Sequence, residues 1–335
     1  MTASDPLFVT QNGRPVHRLG FGTLTLAACQ KNASGAEAAD LFAYAAARGI
    51  NWFDTAEYYG NYDQLAPFLA SAVREDVFIS SKSYAYDAPG MRRSLDLARR
   101  ALGVDTIDLF MLHEQESDRT LAGHAAAFRT LIEARERGIV RYIGVSTHAI
   151  RVVRAMADAK WGRGPADPAF DTGIYREADA VFALLSATGI GLLDGTAAEM
   201  HAACADAAAA GLGLLGMKLF GGGHLLGNRE EAVAAALAKR YVAAWSVGMA
   251  SQAEIETNLV WLDGGSPPET SLRASAATAR QLRVTSDCTR CGRCVERCRS
   301  GAMSLGAETA VCDASTCTLC SYCAYVCRDF AIKVY

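Results

Sequence analysis

The sequence predicts an α/β protein built as a (β/α)8 TIM barrel, with a small α+β domain appended at its C-terminal end. Three observations carry that expectation. Short apolar runs alternate with amphipathic helical patterns from the start of the chain to about residue 262. A Gly264-Gly265-Ser266-Pro267-Pro268 stretch then interrupts the alternation. Beyond it, nine of the 11 cysteines crowd between Cys288 and Cys327.

The elements follow in order. Candidate strands are Leu19–Thr23, Asn51–Thr55, Val77–Lys82, Ile107–His113, Tyr142–Thr147, Ala180–Ser186, Leu212–Met217 and Ala243–Gly248. Between them Ala36–Arg48, Met91–Ala101, Leu121–Arg137, Glu199–Ala210, Glu230–Lys239 and Ala253–Leu262 place apolar residues three and four apart, as one face of a helix requires. Gly49, Gly103, Gly138 and Gly211 stand where those helices need a left-handed residue to stop. Eight such β-then-α units in this length fit a closed barrel. The competing open sheet loses ground because no G-x-G-x-x-G follows the first strand. Asn12-Gly13, flanked by apolar residues, reads as a β-hairpin expected to plug the barrel bottom. The organisation expected is therefore a barrel over residues 1–263, a linker over 264–286 and a cysteine-rich domain over 287–335.

Composition narrows the function classes. With 335 residues and a net charge of −3, the chain has no nucleic-acid footprint. No run of about eighteen apolar residues is present to span a membrane. The first residues, MTASDPLFVTQNG, lack the basic and apolar regions of a signal peptide. Cysteines packed into one block, in a chain of this kind, point to metal binding in a reducing compartment and so to a cytoplasmic protein.

The block has an internal repeat. Cys288, Cys291, Cys294 and Cys298 form C-x2-C-x2-C-x3-C, and Cys317, Cys320, Cys323 and Cys327 repeat it 29 residues later. Three thiolates on one tight loop reach three irons of a cubane, while the fourth points toward a second cluster. Structural zinc, the alternative, needs only two separated cysteine pairs. The block resembles the bacterial-type ferredoxin with two [4Fe–4S] clusters. That resemblance implies one cluster on Cys288, Cys291, Cys294 and Cys327, and another on Cys317, Cys320, Cys323 and Cys298. One departure is that Arg299 and Arg328 stand where such ferredoxins commonly have proline. With Arg290, Arg293 and Arg297 they are expected to favour the reduced clusters and raise their potentials. Cys312, outside the repeat, is expected to pack as a small hydrophobe.

Polar residues end the barrel strands. Asp54 ends the second, with Tyr59 five residues on; Lys82 ends the third, His113 the fourth and Ser146 the fifth. Barrel enzymes place their chemistry at this C-terminal mouth. Taken singly, Asp54 would cap a turn, one of Tyr58 and Tyr59 would only pack, Lys82 and Glu114 would form a surface pair, and His113 would be a core histidine.

Together with RLGFGTLTL, D-T-A-x-x-Y-G and GMKLFGGG, the barrel portion resembles the aldo-keto reductase family, and MKLFGGGHL its ferredoxin-fused branch. The resemblance covers about Leu19 to Leu262 and implies a catalytic tetrad of Asp54, Tyr59, Lys82 and His113. Tyr59 would be the general acid, Lys82 would lower its pKa, Asp54 would hold Lys82, and His113 would orient the substrate oxygen. Glu57, Trp52 and Tyr84 are expected to shape the pocket. For NADH or NADPH, the resemblance implies contacts from Ser146, Met217, Lys218, Gly221, Gly222 and Asn258. Met217 falls where the family stacks an aromatic on nicotinamide. Basic residues for a 2′-phosphate are absent, and Glu254 would repel one.

The function expected is an oxidoreductase acting on a small carbonyl or related unsaturated substrate. Its electrons would be exchanged through two [4Fe–4S] clusters, through NAD(P)H, or through both, with a redox protein as partner. The alternative is an electron carrier or redox sensor that uses the barrel as a docking platform.

Overall fold

The structure is a computed structural model that describes residues 7–276, 281–329 and 331–334. Strands β1 Leu19–Gly22, β2 Trp52–Asp54, β3 Phe78–Ser83, β4 Ile107–Gln115, β5 Val140–Thr147, β6 Ala180–Leu184, β7 Gly213–Met217 and β8 Val242–Gly248 are all parallel. They close into a barrel when β1 pairs with β8, Phe21 opposite Val247. Each of the eight predicted strands is found within about two residues.

Among the described residues ten α-helices precede the cysteine module. They are α1 Gly35–Ala46, α2 Tyr62–Ser71, α3 Ala88–Leu102, α4 Asp118–Gly123, α5 Ala125–Glu136, α6 Ile150–Lys160, α7 Ala197–Ala209, α8 Arg229–Leu237, α9 Gln252–Leu262 and α10 Glu269–Ala276. Two departures have local causes. The single helix expected over 121–137 breaks at His124, where the backbone leaves helical geometry (φ −102, ψ 7). Helix α2 carries Pro67 inside it, which sequence rules read as a breaker. The four glycines expected to stop helices all have positive φ. The segment 160–178 packs on the barrel flank, where the Tyr175 hydroxyl donates to Leu121 O at 2.7 Å.

Two apolar layers hold the barrel. Phe21, Phe42, Phe53 and Phe68 anchor the one between strands and helices. Trp52, Phe78, Met111, Phe182 and Leu215 fill the interior. A Cβ on Gly20 would meet the Trp52 ring at 2.1 Å, so the large indole requires glycine on the next strand. The hairpin is present: Val9 bridges Pro15 antiparallel, and Gly13 takes a φ of +76 in the turn. It drives Phe8, 2% exposed, into the interior layer from below.

The C-terminal module is a two-fold repeat in space as in sequence. Helices α11 Arg293–Arg297 and α12 Tyr322–Tyr325 begin 29 residues apart. Strands β9 Leu282–Val284, β10 Met303–Leu305, β11 Ala310–Cys312 and β12 Ile332–Val334 pair as β9 with β12 and β10 with β11. Arg290 and Leu319, then Gly292 and Ser321, take positive φ at matching places in the two cysteine loops. Strand β9 lies within the stretch expected to be linker, so the paired structure of the module starts at Leu282.

This module sits over the C-terminal mouth of the barrel. Arg297 lies over the Tyr58 and Tyr322 rings (5.1 and 4.4 Å), Gln30 Nε2 donates to Leu319 O at 3.2 Å, and Arg299 pairs with Glu116. Arg299 thus reaches back to the barrel rather than to a cysteine.

Candidate functional site

At the mouth, Asp54 and Lys82 form a buried ion pair. Lys82 Nζ donates to Asp54 Oδ1 at 2.6 Å and to Thr55 O at 2.8 Å, with 1% and 5% of the paired side chains exposed. Ser80 and Ser246 hydroxyls donate to the two carboxylate oxygens of Asp54 at 2.6 and 3.2 Å. The surface pair of Lys82 with Glu114 is therefore not formed. Trp52 is wholly buried and acts from below, donating to Ser80 Oγ at 2.8 Å; it supports Asp54 and does not line the pocket.

Tyr59 and His113 stand beside this pair. Their ring centres are 5.8 Å apart, and Lys82 Nζ is 5.5 Å from the Tyr59 ring centre. Tyr58 turns the other way, onto Tyr322 and Tyr325 of the module at 5.0 and 4.8 Å, which resolves the choice between the adjacent tyrosines. Burial pushes the Tyr59 phenol well above its ordinary value, and the Asp54 and Glu114 charges add to the rise. The net shift is therefore upward, opposite in direction to the lowering expected from Lys82. Burial lowers the Lys82 pKa. It also lowers His113 to about 3, so the imidazole is neutral at physiological pH, and its Nδ1 is buried with no hydrogen-bond partner among the described residues.

Glu114 enters the site without a clear sequence signal. Its backbone takes a φ of +45, rare for a side chain that is not glycine, asparagine or aspartate. Ser146, buried, accepts a hydrogen bond from Glu114 N at 2.9 Å. Ser146 thus shapes the end of β4 and does not line the cleft. The Glu114 carboxylate accepts from the Tyr84 hydroxyl and faces His148 Nε2 at 4.0 Å. Burial alone would raise its pKa; His148, His113, the Tyr84 hydroxyl and Arg297 outweigh that and hold it at about 2. Tyr84 stacks on His113 at 4.5 Å and accepts from Arg297 Nη2 at 3.4 Å; it is not among the residues that line the cleft. Glu57 lies in the short turn that carries Tyr59 and does not reach the cleft.

An open cleft runs from Tyr59 and Asp54 to helix α9. Met217, Lys218, Gly222 and Asn258 line it, as do Gly223, Gly248 and Glu254. Gly221 does not: it is buried in the turn, its N–H donating to Lys218 O at 2.7 Å. The Glu254 carboxylate folds back onto the first turn of α9, accepting from Ala250 N at 2.5 Å. Phe182, Arg229, Thr318 and Leu319 also line the cleft and were not anticipated from sequence.

The eight repeat cysteines gather as two groups. Cys288, Cys291, Cys294 and Cys327 share the wall of one small cavity. Burial raises the Cys323 thiol, and the charges of Cys320, Cys317 and Cys298 raise it further, which puts Cys298 with the second loop. Arg290 and Ala310 N–H groups donate to Cys288 Sγ, and Leu319 N–H to Cys317 Sγ, each at 3.4 Å. Among the described residues no three His, Cys, Asp or Glu side chains converge as ligands of one metal ion. A cubane holds its thiolates farther apart than a single ion does, because each binds a different iron. The crossed grouping and the N–H···S bonds fit that larger guest. Cys312 is half-buried beside Cys317 and Cys298, not a fully buried hydrophobe.

Comparison with known proteins gives the affiliation of the barrel. Residues 18–232 match the profile of the Aldo/keto reductase family. A methylglyoxal reductase from Yersinia pestis is 24% identical over 155 residues, 46% of this chain and 53% of that protein. A D-threo-aldose 1-dehydrogenase from Pseudomonas is 24% identical over 258 residues, 67% of this chain and 72% of that one. The chain thus spans about half the length of the first of these relatives. Among solved structures, an aldo-keto reductase from Pseudomonas aeruginosa overlays with a TM-score of 0.60 at 22% identity, over 79% of this chain and 99% of that one. Another from Bacillus halodurans gives 0.59 at 16%, over 79% and 92%. At these identities the overlays speak to the fold.

Proposed function

From a chain that belongs to the aldo/keto reductase family, a family of oxidoreductases, we propose a carbonyl reductase whose cysteine module holds two [4Fe–4S] clusters. The observation that carries the first half is the buried Asp54–Lys82 pair beside Tyr59 and a neutral His113, at the head of an open cleft. A nicotinamide dinucleotide in the cleft supplies hydride when bound. Met217, Lys218, Gly222 and Asn258 would hold it, and Glu254 at the far end disfavours a 2′-phosphate, so NADH is expected to bind more tightly than NADPH.

The chain's own groups do the rest. Neutral His113 donates a hydrogen bond to the substrate oxygen and fixes its position. Tyr59 gives that oxygen a proton as negative charge develops on it. The raised pKa of Tyr59 keeps it as phenol at neutral pH, the form that reduction needs. Lys82, oriented by Asp54, sits where it stabilises the tyrosinate left behind.

The crossed cysteine sets support the second half. The set with Cys291 faces solvent, suited to a redox partner protein, and the set with Cys320 faces the barrel. Anaerobic preparation should yield iron and sulfide near eight of each per chain. Reduction of methylglyoxal or another small carbonyl by NADH or NADPH should be lost in Tyr59→Phe while the cluster absorbance persists. Turnover retained in Tyr59→Phe would sink the barrel half, and zinc in place of iron the module half.

A further inference from the structure

The two cysteine loops differ in one systematic way. The first reads Cys288-Thr289-Arg290-Cys291-Gly292-Arg293 and the second Cys317-Thr318-Leu319-Cys320-Ser321-Tyr322. Where the repeat has two arginines and a glycine, its copy has leucine, tyrosine and serine. The backbones match, with positive φ at Arg290 and Leu319 and again at Gly292 and Ser321. The surroundings do not match: Thr289 and Arg290 are exposed, whereas Thr318 is buried and Leu319 half-buried. Serine with φ +66 at position 321 bears a strain that glycine at 292 escapes.

The second loop is built into the cleft. Thr318 and Leu319 both line it. A Cβ on Gly222 would fall 2.2 Å from Thr318 O, so the loop and the glycine turn touch through backbone. One on Gly223 would fall 3.3 Å from Leu319 Cδ1. Gln30 fastens Leu319 O from the far side at 3.2 Å, and His224 contacts Cys317 O.

We propose that Thr318 and Leu319 are dinucleotide-binding residues contributed by the cysteine module, completing a cleft that the barrel forms only in part. This rests on the reading of the cleft as a nicotinamide site. An occupant of the cleft then touches the four-residue loop that carries Cys317 and Cys320. Dinucleotide binding and the state of the second cysteine set become linked, and the linkage is reciprocal. The first set, behind an exposed arginine loop, is outside it.

The test uses the anaerobic full-length protein with its clusters. NADH binding is measured by calorimetry, and the paramagnetic resonance of the reduced protein is recorded with and without NADH. Leu319→Ala should weaken NADH binding about fivefold or more, the scale of losing a leucine's apolar contacts. Arg290→Ala, at the equivalent place in the first loop, should leave it unchanged. In the unaltered protein NADH should shift the signal of one cluster and not the other, a readout independent of how the variants fold. Equal affinity in Leu319→Ala together with an unmoved spectrum would overturn the inference while leaving the cleft a dinucleotide site. Failure of both NADH and NADPH to bind the unaltered protein would remove the reading beneath it.

Discussion

Opposite ends of one barrel each bury a carboxylate against cations, with different consequences. At the bottom, Asp108 is fully buried, accepts from Arg74 Nη2 at 2.7 Å, Arg141 Nη1 at 2.8 Å and Ile79 N at 2.8 Å, and is thereby saturated. Arg141 also donates to Val9 O and Thr10 O, so the cluster clamps the hairpin that inserts Phe8. At the top, Asp54 and Lys82 are as deeply buried but adjoin an open cleft and an imidazole with an unpartnered nitrogen. Among the described residues each end leaves one buried nitrogen unpartnered, Arg74 Nε below and His113 Nδ1 above, so what separates the two ends is the saturated carboxylate of Asp108 against the open cleft that Asp54 lines.

The same substitution at both ends separates the two. Asp108→Asn leaves two arginines facing an amide, and a guanidinium stays charged at any accessible pH. We expect a loss of about 3 kcal/mol in unfolding free energy, by denaturant titration, with turnover per folded molecule unchanged. Asp54→Asn should do the reverse. Lys82 sheds its proton when its partner goes, so stability falls by only about 1–2 kcal/mol, while turnover falls about 10²–10³-fold. A turnover loss in Asp108→Asn, or a stability loss in Asp54→Asn as large as at Asp108, would erase the distinction between the two ends.

The sequence conveyed these ends unequally. The strands were legible because most are short apolar runs, as strands buried on both faces of a barrel require. Asp54 was legible as the polar last residue of β2, and Lys82 and His113 as polar residues near the C-terminal ends of β3 and β4. Helix α2 was not, because Pro67 masks it, nor was Glu114, whose place depends on a φ of +45 that turns it toward Tyr84 and His148. The 29-residue spacing of the cysteine repeat reappears in space, with α11 and α12 starting 29 residues apart. Arg297 and Leu319 reach the barrel across more than 200 residues of chain, through a docking that no local pattern encodes. Ser146 near the end of β5 and Gly221 in the turn after β7 have the right position along the chain, but hydrogen bonds to Glu114 N and Lys218 O take them out of the cleft.

Acid sharpens the comparison next. His113 is lowered from 6.5 to about 3 by burial, so the unfolded chain binds its proton first as pH falls. Its contribution to stability is present above pH 6.5 and is lost on descent toward 3. Between pH 6.5 and 5.0 the unaltered protein should lose about 2 kcal/mol that His113→Gln does not lose, read from denaturant midpoints at the two pH values. An Asp108 variant leaves His113 and its surroundings in place, so it should keep the slope of the parent. Equal slopes in the parent and His113→Gln would mean that His113 is not held neutral by its surroundings.

The smallest effect is expected where the module meets the barrel through solvent. Arg299 and Glu116 are 48% and 28% exposed, unlike either buried cluster, so water competes for both charges and salt screens them. Arg299→Ala should cost under about 1 kcal/mol, and the difference from the parent should vanish in 1 M salt, where the screening length is about 3 Å. Arg297, inserted between the Tyr58 and Tyr322 rings, answers to packing as well as charge, and salt should not abolish the loss in Arg297→Ala. A salt-independent loss above about 2 kcal/mol in Arg299→Ala would instead place that pair with the buried clusters and make the docking of the module electrostatic at its core.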